Sequence, residues 1–234
     1  SPALQDRLLF CINSGIEIPE SEMGCYAGHP SDYDDLAPFF AKVISRHHGV
    51  SESATHDLGW IAQDKSDGRT DDHHPAATNL QNLGVAPCSM RIRVGRNFSD
   101  LPLTSAMDQT DRLRLEQRMV SVFETIPDNN PLAGTYHSLT PGHAHAISAQ
   151  QQQDMIRDHL LCKPMDGDRY LSAAGISHHW PHGRGCYVSH DREFIIWVGE
   201  EDHLRIMTMT IGTQLGQLLS RLKSFIDTID LMDS

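Results

Sequence analysis

Five apolar residues in a row, Phe194-Ile195-Ile196-Trp197-Val198, constrain this chain more than any other stretch. A strand with one wet face alternates polar and apolar residues. One that is apolar throughout belongs in the middle of a sheet, with a layer packed on each face. The run ends at Gly199-Glu200-Glu201-Asp202, a polar turn, and His203 to Thr210 returns as a second apolar stretch. Arg184 to Ser189 and Glu193 to Gly199 complete three neighbouring strand candidates joined as hairpins.

Upstream, Ser89-Met90-Arg91-Ile92-Arg93-Val94-Gly95 alternates strictly. Met90, Ile92 and Val94 share one face of a half-buried strand, and Arg91 and Arg93 share the other. Helical spacing recurs three times after it. One stripe holds Leu115, Met119, Val122, Phe123 and Ile126. A second helix begins with a Ser148/Gln151 capping box and continues through Met155, Ile156, His159 and Leu160. The last holds Leu215, Leu218, Leu219, Leu222, Phe225, Ile226 and Ile229. In the first third, Leu36, Phe39, Phe40, Val43, Ile44 and His47 form another stripe, with Asp34 or Asp35 able to cap it and Pro38 in its first turn. Leu8 to Ile18 is a short apolar stretch, and Pro19 to Pro30 reads as a loop. The expected fold is α+β. A small all-helical domain covers 1–60, a linker 61–88, and an incomplete antiparallel sheet flanked by helices 89–234.

The net charge of -12 on 234 residues excludes a general nucleic-acid or anionic-membrane binder, since both need a basic surface. No apolar run approaches the roughly 20 residues of a membrane helix. The lysines are only Lys42, Lys65, Lys163 and Lys223, so cationic recognition falls to arginine, which binds phosphate and carboxylate bidentately. Cys11, Cys25, Cys88, Cys162 and Cys186 are scattered without a C-x-x-C pair, which fits a reducing intracellular setting. Cytoplasm and mitochondrion both suit it. A processed Ser1 would favour the mitochondrion.

Three groups of residues could carry chemistry. Arg91 and Arg93, two apart on one strand face, lie roughly 6.5–7 Å from each other and could grip adjacent phosphates, or be scattered charges on a solvated face. The Gly199-to-Arg205 hairpin could hold a cationic substrate, or be a polar turn with local ion pairs. His178, His179 and His182, with the pair His73-His74, lack ligand spacing for zinc, and Pro181 interrupts a helical arrangement. No metal site is assigned. Neither a phosphate-binding glycine-rich motif nor a nucleophile elbow is present.

Taken in order, several segments resemble the phosphagen kinase family, which includes the arginine and creatine kinases. Ser89-Met90-Arg91-Ile92-Arg93-Val94-Gly95-Arg96 is similar to its S-T-R-V-R-x-G-R strand. Gly134-Thr135-Tyr136, Gln151-Gln152-Gln153, Asp158-His159-Leu160-Leu161 and Trp180-Pro181-His182-Gly183-Arg184-Gly185 resemble its G-T-Y, Q-Q-Q, D-H-F-L and W-P-T-G-R-G segments. Phe194 to Arg205 resembles F-L-V-W-V-N-E-E-D-H-L-R, with Gly199 in place of asparagine. Ser14 to Glu17 and Gly24 to Ala27 look like the small domain and its substrate-specificity loop. Tyr26 and a short loop favour the arginine-using members, while Glu22 and Met23 replace small residues.

The resemblance implies roles by position. Arg91, Arg93 and Arg205 would contact nucleotide phosphates, with His159 and Trp197 in the nucleotide's vicinity. Glu201 would be the catalytic carboxylate on the substrate guanidinium, and Ser21, Gly24 and Tyr26 would belong to the substrate loop. ATP or ADP with Mg²⁺ would be the cofactor if activity or binding is retained, and otherwise none. Family members continue beyond Ser234 with the reactive cysteine, a second substrate carboxylate and two more phosphate-binding arginines. The expectation is therefore a chain truncated before the catalytic half and inactive alone, serving as a structural or interaction subunit. A protein partner would cover the open side of its sheet and one face of Phe194 to Val198, with weak nucleotide or anion binding retained. The alternatives are the N-terminal part of an active ATP:guanidino (arginine) phosphotransferase, and a binding module holding an anion on the three arginines.

Overall fold

The computed structural model describes residues 2–55 and 79–230. The chain opens with helix α1 (Pro2–Glu17), a single turn α2 (Asp32–Asp35) and α3 (Ala37–His48). A 3₁₀ turn at Leu80–Leu83 leads into strand β1 (Cys88–Arg96) and helix α4 (Gln109–Glu124). Next come β2 (Gly134–Ser138), α5 (Ala149–Arg157) and the short α6 (Arg169–Ala173). The chain then runs through β3 (Gly185–Ser189), β4 (Phe194–Val198), β5 (Leu204–Gly212) and α7 (Leu215–Asp230). The strands form one antiparallel five-stranded sheet in the order β1-β5-β4-β3-β2. The fold is α+β, with helices at the N-terminus and a sheet flanked by helices, as the strand and helix spacings predict.

Several local expectations need correction. The apolar stretch at 8–18 lies largely within the longer helix α1. Neither Asp34 nor Asp35 caps α3, whose N-cap is Leu36 with no side-chain hydrogen bond. The aspartates instead form α2, where buried Asp32 accepts hydrogen bonds from the Gly28 and His29 amides at 2.8 and 2.7 Å and from Arg7 Nε at 2.8 Å. The capping box at Ser148/Gln151 is present, but α5 stops at Arg157 and His159 takes a left-handed backbone. Strand β2 escapes sequence reading because it is a short edge strand, and its Gly134 is required by the close approach of Val188 O, which a Cβ would meet at 2.2 Å. Residues 61–78 of the assigned linker, and His73-His74, lie outside the described residues.

The expected open face on β4 is also corrected. Phe194, Ile195, Ile196 and Val198 are all buried. On one side Phe194 and Ile196 pack with Leu115, Met119 and Phe123 of α4 and Leu222, Phe225 and Ile226 of α7. On the other, Ile195 and Met207 pack with Leu160, Leu161 and Cys162, with Met155 and Ile156 of α5 against them. A layer therefore covers each face of the central strand from within this chain.

Helix α7 is also pinned through its polar side. Arg221 donates to Asp191 in the β3–β4 turn at 2.9 Å and to Pro131 O at 2.6 Å. Burial opposes ionisation of Asp191, but Arg221, the Ser189 hydroxyl and the Glu193 amide outweigh it and hold the carboxyl at about 2. A folded-state value below the ordinary ~3.9 contributes stability that is full above that pH and is lost as pH falls through the folded value. Arg221→Met should therefore flatten the loss of melting temperature between pH ~4 and pH ~2. An acid-melting profile identical to that of the unsubstituted protein would remove the ion pair from this account.

Candidate active site

Register brings the predicted arginines together. In β1, Arg91 pairs with Met209, Arg93 with Met207 and Gly95 with Arg205. Arg205 in turn pairs with Trp197 of β4. Opposed residues of antiparallel strands share a face, so Arg91, Arg93, Arg205 and Trp197 all project to one side. Arg91 and Arg93 are exposed there. Arg205 is half-buried against Glu200, Nε to Oε2 2.7 Å, a close ionic contact without hydrogen-bond alignment. Burial pushes the Glu200 carboxyl up, against the opposing pull of Arg205. Trp197 Nε1 donates to Leu160 O at 2.8 Å and so ties the sheet to the segment after α5. His159, exposed, immediately precedes that carbonyl.

Glu201 faces a different space. It lines a cleft of about 960 Å³ between the hairpin and the N-terminal helices, together with Glu22, Met23, Tyr26, Thr104 and Asp202. The Tyr26 hydroxyl is pushed up by burial first and by the Glu201 charge second. The predicted loop and the predicted carboxylate thus form two walls of one cleft. Ser21 and Gly24 do not line it. They hold the loop's shape instead. The Gly24 amide donates to Ser21 Oγ at 3.3 Å, and Gly24 O accepts from the Gly15 amide at 3.0 Å. A Cβ on Gly15 would come within 2.6 Å of that oxygen. Glu201 also reaches Arg205, Oε2 to Nη2 3.9 Å, so the cleft meets the arginine face at the hairpin.

The hairpin is rigidly mounted. Its Gly199 has φ 70°, and a Cβ there would strike Gly183 O at 2.7 Å, which explains glycine at this position. His203 is buried, accepts from the Phe98 amide at Nδ1 (2.9 Å) and sets Nε2 2.7 Å from Pro102 O. Burial lowers its pKa, and this bonding pattern fits the neutral ring with its proton on Nε2. Asn97 bridges the His203 amide (2.8 Å) and Asp202 (2.9 Å).

Sequence reasoning missed the support beneath. Arg112 and Arg184 are fully buried. Arg112 Nη2 donates to the carbonyls of Thr104 (2.7 Å), Ile176 (3.2 Å) and Gly175 (3.4 Å). Arg184 Nη2 donates to those of Ile176 (2.8 Å) and His178 (3.0 Å). Burial lowers both guanidiniums, Arg112 to about 9 with the Arg184 charge assisting, and Arg184 to about 10. Arg112 sits three residues before Leu115 on the apolar stripe of α4. A charge on a buried stripe is the signal that could have found it. Among the described residues no three His, Cys, Asp or Glu side chains converge on a common point.

Comparison with known proteins bears on these residues. Residues 114–232 match "ATP:guanido phosphotransferase, C-terminal catalytic domain", and residues 3–45 match "ATP:guanido phosphotransferase, N-terminal domain". An arginine kinase of Penaeus japonicus is 33% identical over 97% of this chain and 59% of its own length. One of Anthopleura japonica is 35% identical over 94% of this chain and 28% of its own length. The substrate-free duplicated taurocyamine kinase from Schistosoma mansoni superposes with a TM-score of 0.77 at 24% identity, over 95% of this chain and 29% of that one. A lombricine kinase structure superposes with a TM-score of 0.76 at 21% identity, over 95% and 56%. These two likenesses concern the fold. The chain spans less than two thirds of the length of each of these relatives. The match at 114–232 overturns the expectation of a chain lacking its catalytic portion and kept as a silent structural subunit, because that match falls on a catalytic domain.

Proposed function

The chain belongs to the ATP:guanido phosphotransferase family, and from that membership we propose that it works in reversible phosphoryl transfer between MgATP and a guanidino substrate, L-arginine. In this reading the magnesium arrives as part of the nucleotide. Arg91, Arg93 and Arg205 neutralise the phosphate oxygens, with Trp197 and His159 beside the nucleotide. Glu201 pairs with the substrate guanidinium from the cleft, and the 21–26 loop closes its other side. The P–O bond to ADP breaks as a P–N bond forms, and one N–H proton leaves. Such chemistry needs little beyond alignment and charge neutralisation. The observation that carries the reading is the meeting, at one hairpin, of the three-arginine sheet face with the carboxylate-lined cleft. Glu200 would hold Arg205 through Nε, leaving its outer nitrogens for phosphate.

Calorimetric titration with MgADP tests the reading. Replacing Arg91 and Arg93 together by alanine should weaken binding at least ~10-fold, since each charge-assisted contact contributes about 1.5–3 kcal/mol. Both side chains are exposed, so the variant should melt with the unsubstituted protein. Equal affinities would take the nucleotide off this face.

A further inference from the structure

Leu103, Thr104 and Ser105 are consecutive, and they bond in opposite directions. Toward the substrate loop, the Leu103 amide donates to Gly28 O at 2.8 Å and Ser105 Oγ donates to Ala27 O at 2.7 Å. Toward the hairpin, Thr104 Oγ1 donates to the backbone carbonyl of Glu201. From beneath, Arg112 Nη2 holds the Thr104 carbonyl at 2.7 Å. Gly175 lies so close to Ser105 O that a Cβ would come within 2.4 Å. Thr104 and Ser105 are both buried, so water is a poor substitute for the partners they hold. The strip therefore joins the two walls of the cleft, and the buried guanidinium of Arg112 anchors it.

We propose that Thr104 is a positioning residue for Glu201. It fixes the hairpin carbonyl, so that the carboxylate stays in the cleft wall opposite Tyr26, and the 103–105 strip transmits that placement to the substrate loop. The inference rests on the reading of Glu201 as the guanidinium carboxylate. Nothing in the local sequence Leu103-Thr104-Ser105 points to the role. It comes from three segments, 27–28, 103–105 and 201, meeting in space. A carboxylate displaced by a fraction of an ångström still binds a guanidinium but aligns it less well for in-line attack. The effect should therefore fall on turnover more than on nucleotide affinity.

Thr104→Val keeps the branched shape and removes the donor, while Thr104→Ser restores the donor. The full chain should be assayed for ATP-dependent phosphorylation of L-arginine, and for amide exchange of a peptide spanning 199–203. Thr104→Val should lower kcat about threefold to tenfold, leave KM for ATP unchanged and speed exchange in the hairpin. Thr104→Ser should keep turnover and protection. A fall in melting temperature with kcat and hairpin exchange unchanged would make Thr104 a stability residue only and overturn the proposal. Glu201→Gln separates the two claims. If it stays active, the reading of Glu201 fails, and the exchange of 199–203 in Thr104→Val still decides whether Thr104 positions the hairpin. Unaltered exchange ends the proposal whatever the activity.

Discussion

If the proposed transfer to L-arginine is the activity, Glu201→Gln should lower its kcat by about 10²–10³-fold, the scale on which a single pre-organised charged group acts in a transition state. The amide keeps the size and the hydrogen-bonding reach of the side chain but loses the charge that the proposed function sets against the substrate guanidinium. Folding should be untouched, because the Glu201 side chain is 49% exposed and its nearest ionic contact is 3.9 Å away. Glu200 provides the contrast. It stands one residue earlier, is largely buried and lies 2.7 Å from Arg205. Glu200→Gln leaves Arg205 without its counter-charge in a half-buried site, so that variant should lose stability and nucleotide affinity together. Steady-state kinetics with parallel melting curves checks both. If Glu201→Gln turned over within a factor of three of the unsubstituted protein, the carboxylate would have no part in the chemistry.

Phe225→Ala should destabilise the fold by about 3–5 kcal/mol, the usual cost of deleting a buried aromatic ring. At roughly 2–4 °C per kcal/mol for a chain of this size, melting should fall by about 10 °C. Phe225 is fully buried and its ring lies 5.2 Å from that of Phe194 and 6.4 Å from that of Phe123. It therefore joins α7 to β4 and α4. The size of the loss measures how far α7 closes one face of the sheet. A change below about 1 kcal/mol would mean that α7 is loosely docked and that the sheet face depends on something else.

Much of the fold was legible because burial on two faces and burial on one leave different periods. The unbroken apolar run at 194–198 announced a covered strand, and the alternation at 89–95 announced a strand whose arginines share a face. The apolar stripe of α7 was equally plain. Its docking was not, because a stripe tells that a helix buries one side without telling against what. That gap produced the expectation of an uncovered β4 and a chain in need of a partner to cover it. Edge strand β2 and the bounds of helix α1 were missed for a related reason. The one is short and glycine-led, and the other is exposed over much of its surface, so neither has a clean period.

The sequence by itself determined the chemical character of the site. It placed Arg91, Arg93, Glu201 and Arg205 in strand or hairpin positions, and the ordered motifs tied them to a family. Only the tertiary structure decided which of them meet. Antiparallel register put Arg205 on the Arg91/Arg93 face. Packing of the N-terminal helices set Tyr26 across a cleft from Glu201. The carbonyl of Ile176, 64 positions along the chain, met the buried guanidinium of Arg112. Such contacts join residues tens of positions apart. Local propensity and periodicity carry information over only a few residues, so no pattern in one sequence specifies which distant carbonyl a buried guanidinium will find.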